Sequence, residues 1–206
     1  MGGVAYSFGI NRDVSWDLGM AGQGFDIFMY DPTIEGLPLE DSHFHFFREG
    51  IAGSEKPEEN LYTLHHFLQK NGHENERNMV LKIDTEGAEW DFLQEVDTVT
   101  LKQFDQIVFE FHDLTVASSY AEMAKKIAAF VKLNQTHQLI HLHGTNMDVQ
   151  IVIDDYIWPN ALEATYVNRD NYRIKSGDEI VLPNPFDRPN DEHRQELILG
   201  KWNERV

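Results

Sequence analysis

Short apolar runs alternate with amphipathic stretches down most of this 206-residue chain, and that alternation leaves few architectures open. The runs cover residues 4–9, 25–30, 44–47, 79–83, 106–111 and 137–142. They hold four to six residues each and are rich in Val, Ile and Phe, as strands buried on both faces of a parallel sheet are. Between them, residues 61–68 carry Leu61, Leu64, Phe67 and Leu68 at helical spacing. Trp90, Leu93 and Val96 repeat the pattern after the fourth run, and residues 120–133 repeat it with Met123, Ile127, Phe130 and Val131. Strand–helix alternation of this kind predicts a doubly wound α/β sheet. After the sixth run comes a long connection and then an apolar segment, 161–167, which reads as a strand returning antiparallel to the sixth. The expected division is one main domain over residues 1–181. An appendage over 182–206, with three prolines and a short helix from about Asp191, is expected to pack on the same body.

Composition removes several classes of function. The formal charge of −18 argues against a nucleic-acid partner, because affinity for a phosphate backbone comes from clustered Lys and Arg. The chain has no cysteine, so disulfides, thiolate metal sites and Cys nucleophiles are excluded; this fits a reducing cytoplasm, the expected location. No apolar run approaches the ~18 residues of a membrane span.

Ligands of open α/β sheets bind beyond the carboxyl ends of the strands, so strand-terminal residues carry the functional reading. The first strand ends in Ser7, Phe8 and Gly9, with Asp13 shortly after. Gly9 permits a tight turn close to a ligand, but a single glycine is no dinucleotide fingerprint. The second strand ends at Asp31, about 20 residues on, where a carboxylate can accept hydrogen bonds from a ribose diol or make an Asx turn into Pro32. The fourth ends in Asp84, Thr85, Glu86, Gly87, Ala88 and Glu89. Helix capping accounts for one or two of those carboxylates, but not for Gly87.

The segment 81–89, LKIDTEGAE, resembles the K-I/V-D-x-E-G-x-E hallmark of FkbM-type S-adenosylmethionine-dependent methyltransferases. Residues 6–9, 30–33 and 109–112 resemble the related methyltransferase-like branch, and the likeness runs from about Val4 to Tyr166. It implies a Rossmann-like seven-stranded, mostly parallel sheet with an antiparallel last strand. It also implies S-adenosyl-L-methionine as cofactor. Ser7, Phe8 and Gly9 would then line the loop under the methionine part, with Asp13 nearby, and Asp31 would hold the ribose. Ala52, within the segment 51–53, would flank the adenine; Asp84 would face the methionine end or the methyl-transfer site, with Gly87 in the cofactor-binding loop. The chain starts almost at its first strand, so helices that often cover the cofactor in such enzymes are expected to be missing or supplied by a partner.

At the far rim, Glu110 and His112 alternate on strand five and leave the same face, while His143 ends strand six. Methyl transfer to a hydroxyl needs a base. The expectation is His112 as base, oriented by Glu110 or Glu86, with His143 as a further candidate. The same O and N donors would suit Mg²⁺ or Mn²⁺, although no residue is assigned as a metal ligand. The expected reaction is O-methylation of a small polar metabolite or glycan precursor. Competing readings are a catalytically silent cofactor-binding domain, a nucleotide-sugar or dinucleotide enzyme, and a His/carboxylate metallohydrolase.

Overall fold

All six apolar runs are strands in the computed structural model, which describes residues 2–116, 119–153, 156–173 and 180–202. Numbered within the main sheet, they are β1 (Gly3–Phe8), β2 (Phe25–Tyr30), β3 (Phe44–Phe47), β4 (Met79–Ile83), β5 (Phe104–Phe111) and β6 (His137–Gly144). They are joined by β7 (Leu162–Asn168). The sheet order is β3-β2-β1-β4-β5-β7-β6. Every pairing is parallel except those of β7, which inserts antiparallel between β5 and β6. This is a Rossmann-like methyltransferase architecture. Chain order reverses between β1 and β4, so the cleft expected of such sheets opens there.

Period-2 alternation sends each strand's side chains to two different cores. Tyr6, Phe8, Tyr30, Leu81, Ile83, Phe109 and Phe111 point to the larger core. Helices α2 (Leu64–Asn71), α3 (Ala88–Glu95) and α5 (Tyr120–Thr136) cover it through Phe67, Leu68, Phe92, Leu93, Ala129 and Leu133. Ala5, Ile27, Met29 and Val80 face the other way, toward Trp16 and Met20 of α1 (Ser15–Ala21). Past α1 that second face is polar: Lys82, Glu110, Glu163, Thr165 and His141 line an open cavity on it.

Local chemistry moved some expected boundaries. Leu61–Tyr62 is a strand paired with Gly50–Ile51, and the helix begins only after Thr63, whose Oγ1 accepts from the His66 amide. That N-cap is the shift's physical cause. The helix expected from Asp191 is a turn. Its first residue is instead tied to the end of β6, where the Asp191 amide donates to Asn146 Oδ1 and the Asn146 side-chain amide donates to Asp191 O, both at 2.9 Å. A four-residue α4 (Thr98–Leu101) precedes β5, Gln150–Ile153 pairs antiparallel with Tyr156–Pro159 between β6 and β7, and Ile180–Leu182 pairs antiparallel with Gly200–Trp202.

Candidate functional site

Two cavities meet at the carboxyl edge of the sheet, and Asp84 belongs to both. The first, about 330 Å³, lies over the ends of β1, β2 and β4. Its walls are apolar at Phe8, Tyr30, Ile51, Leu61 and Ala88, and polar at Asn11, Asp31, Thr33, Asp84 and Glu86. The second, about 540 Å³, runs over the polar face past Arg12, Asp13, Lys82, Glu110, His141, Glu163 and Asn190. Both fall in the size range of small-molecule sites.

The glycine turn joins them. Gly9 has φ +79°, and a Cβ there would stand 1.5 Å from Asp84 O, so only glycine lets the β1 and β4 ends close this tightly. Lys82 Nζ donates to Gly9 O at 2.9 Å and lies 3.7 Å from the Asp84 carboxylate. Asp31 is nearly buried, and both its oxygens are engaged. Oδ2 accepts from the Ile10 and Asn11 amides at 2.9 and 2.8 Å; Oδ1 accepts from the Thr33 amide and hydroxyl at 2.8 and 2.6 Å. Burial opposes its charge, yet the Thr33, Asn11 and Ile10 bonds outweigh that and hold its pKa below the usual range. The carboxylate therefore clamps the glycine loop while lining the first cavity.

At the other rim His112 stands among carboxylates. Its backbone amide donates to Glu89 Oε1 at 2.7 Å, and Nδ1 lies 3.3 Å from the same oxygen. Glu89, fully buried at the start of α3, also accepts from the Gly87 amide at 2.9 Å. The orienting carboxylate is thus Glu89, in place of the expected Glu110 or Glu86. Nε2 of His112 faces Glu86, Asp84 and Glu110 at 3.6, 3.8 and 3.8 Å. Burial works against the imidazolium, but the bond to Glu89 and the charges of Glu89, Glu110 and Glu86 raise the pKa to about 9. Glu110 is pushed up to about 7, chiefly by burial and by Asp84, with His112 opposing. Asp84, Glu86 and His112 offer ligand atoms within 4.8 Å of one another, the grouping in this region that could hold a metal ion.

The remaining expected residues are distributed as follows. Phe8 and Gly9 line the first cavity. Ser7 is fully buried beside Asp17 of α1, its Oγ without a partner at hydrogen-bond geometry among the described residues. Asp13 lines the second cavity and caps α1 by accepting from the Ser15 amide at 2.8 Å. Ala52 lines a third, smaller hollow beside Thr63 and Phe92, while its neighbours Gly50 and Ile51 reach the first cavity. Gly87, at φ +104°, is the N-cap of α3. His143 is drawn away: its two ring nitrogens lie 2.9 Å from Glu163 and 3.3 Å from Glu196 of the C-terminal segment.

Two residues that sequence reasoning passed over matter here. Glu89 read as an ordinary acidic first-turn residue. Glu163 pairs across the sheet with both Glu110 and His143; its place opposite them was available from strand parity once β7 was set between β5 and β6.

A family model for the methyltransferase FkbM domain matches residues 18–137, more than half of the chain. A search of curated proteins found no match. Among solved structures, the chain is similar to one described as "Putative hemolysin from Streptococcus thermophilus", at 10% identity and a TM-score of 0.42. The likeness covers 81% of this chain and 59% of that one, and at that TM-score it carries no argument.

Proposed function

The chain belongs to the methyltransferase FkbM family, and we propose that it is an S-adenosylmethionine-dependent O-methyltransferase acting on a small polar acceptor or glycan precursor. The observation that carries the proposal is the pair of cavities meeting at Asp84: one apolar-walled slot over the strand ends at the switch point, one polar trough beside it. The slot fits a nucleoside amino acid. Ile51 and Leu61 offer an apolar wall to a base, Asp31 and Thr33 stand at the ribose end, and Gly9 admits the chain backbone close to Asp84. S-adenosylmethionine, when bound, supplies a methyl group on a cationic sulfonium, and the carboxylate-rich rim at Asp84 and Glu86 favours a positive charge there.

Within that reading the roles expected of His112 and Glu110 exchange. A group with a pKa of about 9 is protonated at neutral pH and cannot accept a proton, whereas one near 7 can. Glu110 also lines the acceptor trough, next to Asp84. Glu110 is therefore the base that takes the proton from the acceptor hydroxyl. His112, fixed by Glu89, holds positive charge against Asp84, Glu86 and Glu110. Asp13, Glu110 and Glu163 share the trough with Arg12 and Lys82, a mixed lining that suits a neutral, hydroxyl-bearing acceptor.

Calorimetric titration of S-adenosylmethionine and S-adenosylhomocysteine into the pure protein tests the reading. One-site binding of both is expected; no binding of either would refute it.

A further inference from the structure

The rim between the two cavities gathers carboxylate oxygens around one imidazole nitrogen. His112 is nine-tenths buried, and its Nδ1 is committed to Glu89, a residue with no exposed surface. Its other nitrogen, Nε2, has no hydrogen-bond partner among the described residues, yet it is aimed at carboxylate oxygens of Asp84, Glu86 and Glu110. Those separations, 3.6–3.8 Å, are too long for hydrogen bonds. They leave room for an ion: ligands about 2.1–2.2 Å from one ion lie roughly 3.0 Å apart at the octahedral angle, so the side chains would close in by about 0.7 Å to hold it.

We infer that Asp84, Glu86 and His112 form a binding site for a single divalent cation of the Mg²⁺/Mn²⁺ class. The donor set is one imidazole among carboxylates, which suits hard-to-borderline ions, Mn²⁺ foremost. Glu89 acts as the outer partner that fixes the ring. With Nδ1 hydrogen-bonded to a buried carboxylate, Nε2 is the nitrogen left to ligate once the ion displaces its proton, the arrangement common behind metal-bound histidines. Lys82 Nζ donates to Gly9 O and lies 3.7 Å from Asp84 Oδ2, whereas the oxygen that faces His112 is Asp84 Oδ1. The three ligands come from two strand ends, β4 and β5, that pair in register up to Ile83 and Phe109, so the sheet itself sets their spacing. An ion held there would sit where the slot and the trough meet, in reach of an acceptor oxygen.

This inference shares its location with the proposed transfer reaction, but binding of the ion does not depend on that reading. The test is titration of MnCl₂ into chelator-stripped full-length protein, following loss of the free Mn²⁺ paramagnetic resonance signal, without any cofactor. One site is expected, competed by MgCl₂. Glu86→Gln and Asp84→Asn should each weaken it at least tenfold, while Glu58→Gln, an exposed acid remote from the rim, should leave it unchanged. Glu86 is largely exposed, so its variant should fold; circular dichroism would verify this. The inference is overturned if no stoichiometric Mn²⁺ is held, or if Glu86→Gln and Asp84→Asn bind as the native chain does, which would mark diffuse attraction by a surface of charge −18. Binding of S-adenosylmethionine by the stripped protein alongside absence of Mn²⁺ binding overturns the cation site alone. Mn²⁺ binding with neither cofactor form bound supports the site and overturns the transfer reading.

Discussion

Replacing Gly9 with Ala isolates what the turn between β1 and the site requires. The added Cβ would lie 1.5 Å from Asp84 O, a backbone atom, so the two strand ends must part by about 2 Å to reach ordinary contact. That movement strains three bonds that hold the turn: Gly9 N to Tyr30 O at 3.0 Å, Asp84 N to Phe8 O at 3.0 Å and Lys82 Nζ to Gly9 O at 2.9 Å. At about 1 kcal/mol net per hydrogen bond, losing two or three costs roughly 2–3 kcal/mol. The left-handed backbone at φ +79° adds about 1–2 kcal/mol for any L side chain. Gly72 supplies the control. Its φ is +76°, and a Cβ there meets nothing within 4 Å, so Gly72→Ala carries the backbone cost alone. The difference between the two variants should therefore be about 2–3 kcal/mol. For a chain of this size that corresponds to roughly 4–12 °C in Tm, read by differential scanning calorimetry and checked by urea unfolding. Equal destabilisation by the two substitutions would refute the close approach of β1 and β4 on which both cavities depend.

Three further outcomes follow from the site. Glu110→Gln should lower turnover by about 10²–10⁴-fold, the size of a general-base contribution, with little change in cofactor affinity; single-turnover rates with a true acceptor would decide, and near-native rates would free Glu110 of that role. Asp31→Ala should lower Tm as well as cofactor affinity, because it removes the acceptor of four hydrogen bonds that bind residues 10, 11 and 33 together; a native Tm would show that the loop needs no clamp. The third concerns pH. Hydrogen bonding to Glu163 raises the His143 pKa to about 9 against burial, above its unfolded value near 6.5, so its contribution is fully present below about pH 6.5 and is lost as pH rises through 9. Tm should fall by a few degrees across that window, and His143→Gln should flatten the fall; an unchanged pH profile in the variant would break the assignment.

The sheet was legible because its information is local. Each strand of four to eight residues announces itself by Val, Ile and Phe, and the glycine turn and the 84–89 segment lie at strand ends that sequence order alone identifies. What escaped was pairing between distant segments. Nothing near His112 points to Glu89, because a strand end and a helix start 23 residues apart come together only after β4 and β5 have paired and α3 has folded back over them. The same holds for His143. Its position at the end of a strand made it resemble a site residue, but Glu196, more than 50 residues later, takes its outer nitrogen. Strand-end position brings Asp84, Glu86, Glu110 and His112 to one rim, but it does not say which nitrogen or oxygen is left unsatisfied.

That last distinction decides the chemistry of the rim. Glu110 and Glu163 are direct cross-strand partners, a like-charged pairing that costs stability unless something neutralises it. The sheet resolves the conflict asymmetrically. Glu163 is given two partners, His143 at 2.9 Å and the Asn190 side-chain amide at 2.7 Å, and although burial opposes it, those bonds hold its pKa below the usual range. Glu110 is given none at hydrogen-bond distance among the described residues, and burial with Asp84 leaves it near 7. One carboxylate is thus held as an anion by His143 of β6 and Asn190 of the C-terminal segment, while in the proposed reaction its neighbour exchanges a proton at the trough. Pairs of like groups driven apart by their surroundings are how a fold assigns acid–base roles. Here His143 of β6 does most of this, and the tail supports it through Asn190 on Glu163 and Glu196 on His143, so in the proposed reaction residues 190–196 bear on the acid–base pair as well as on packing.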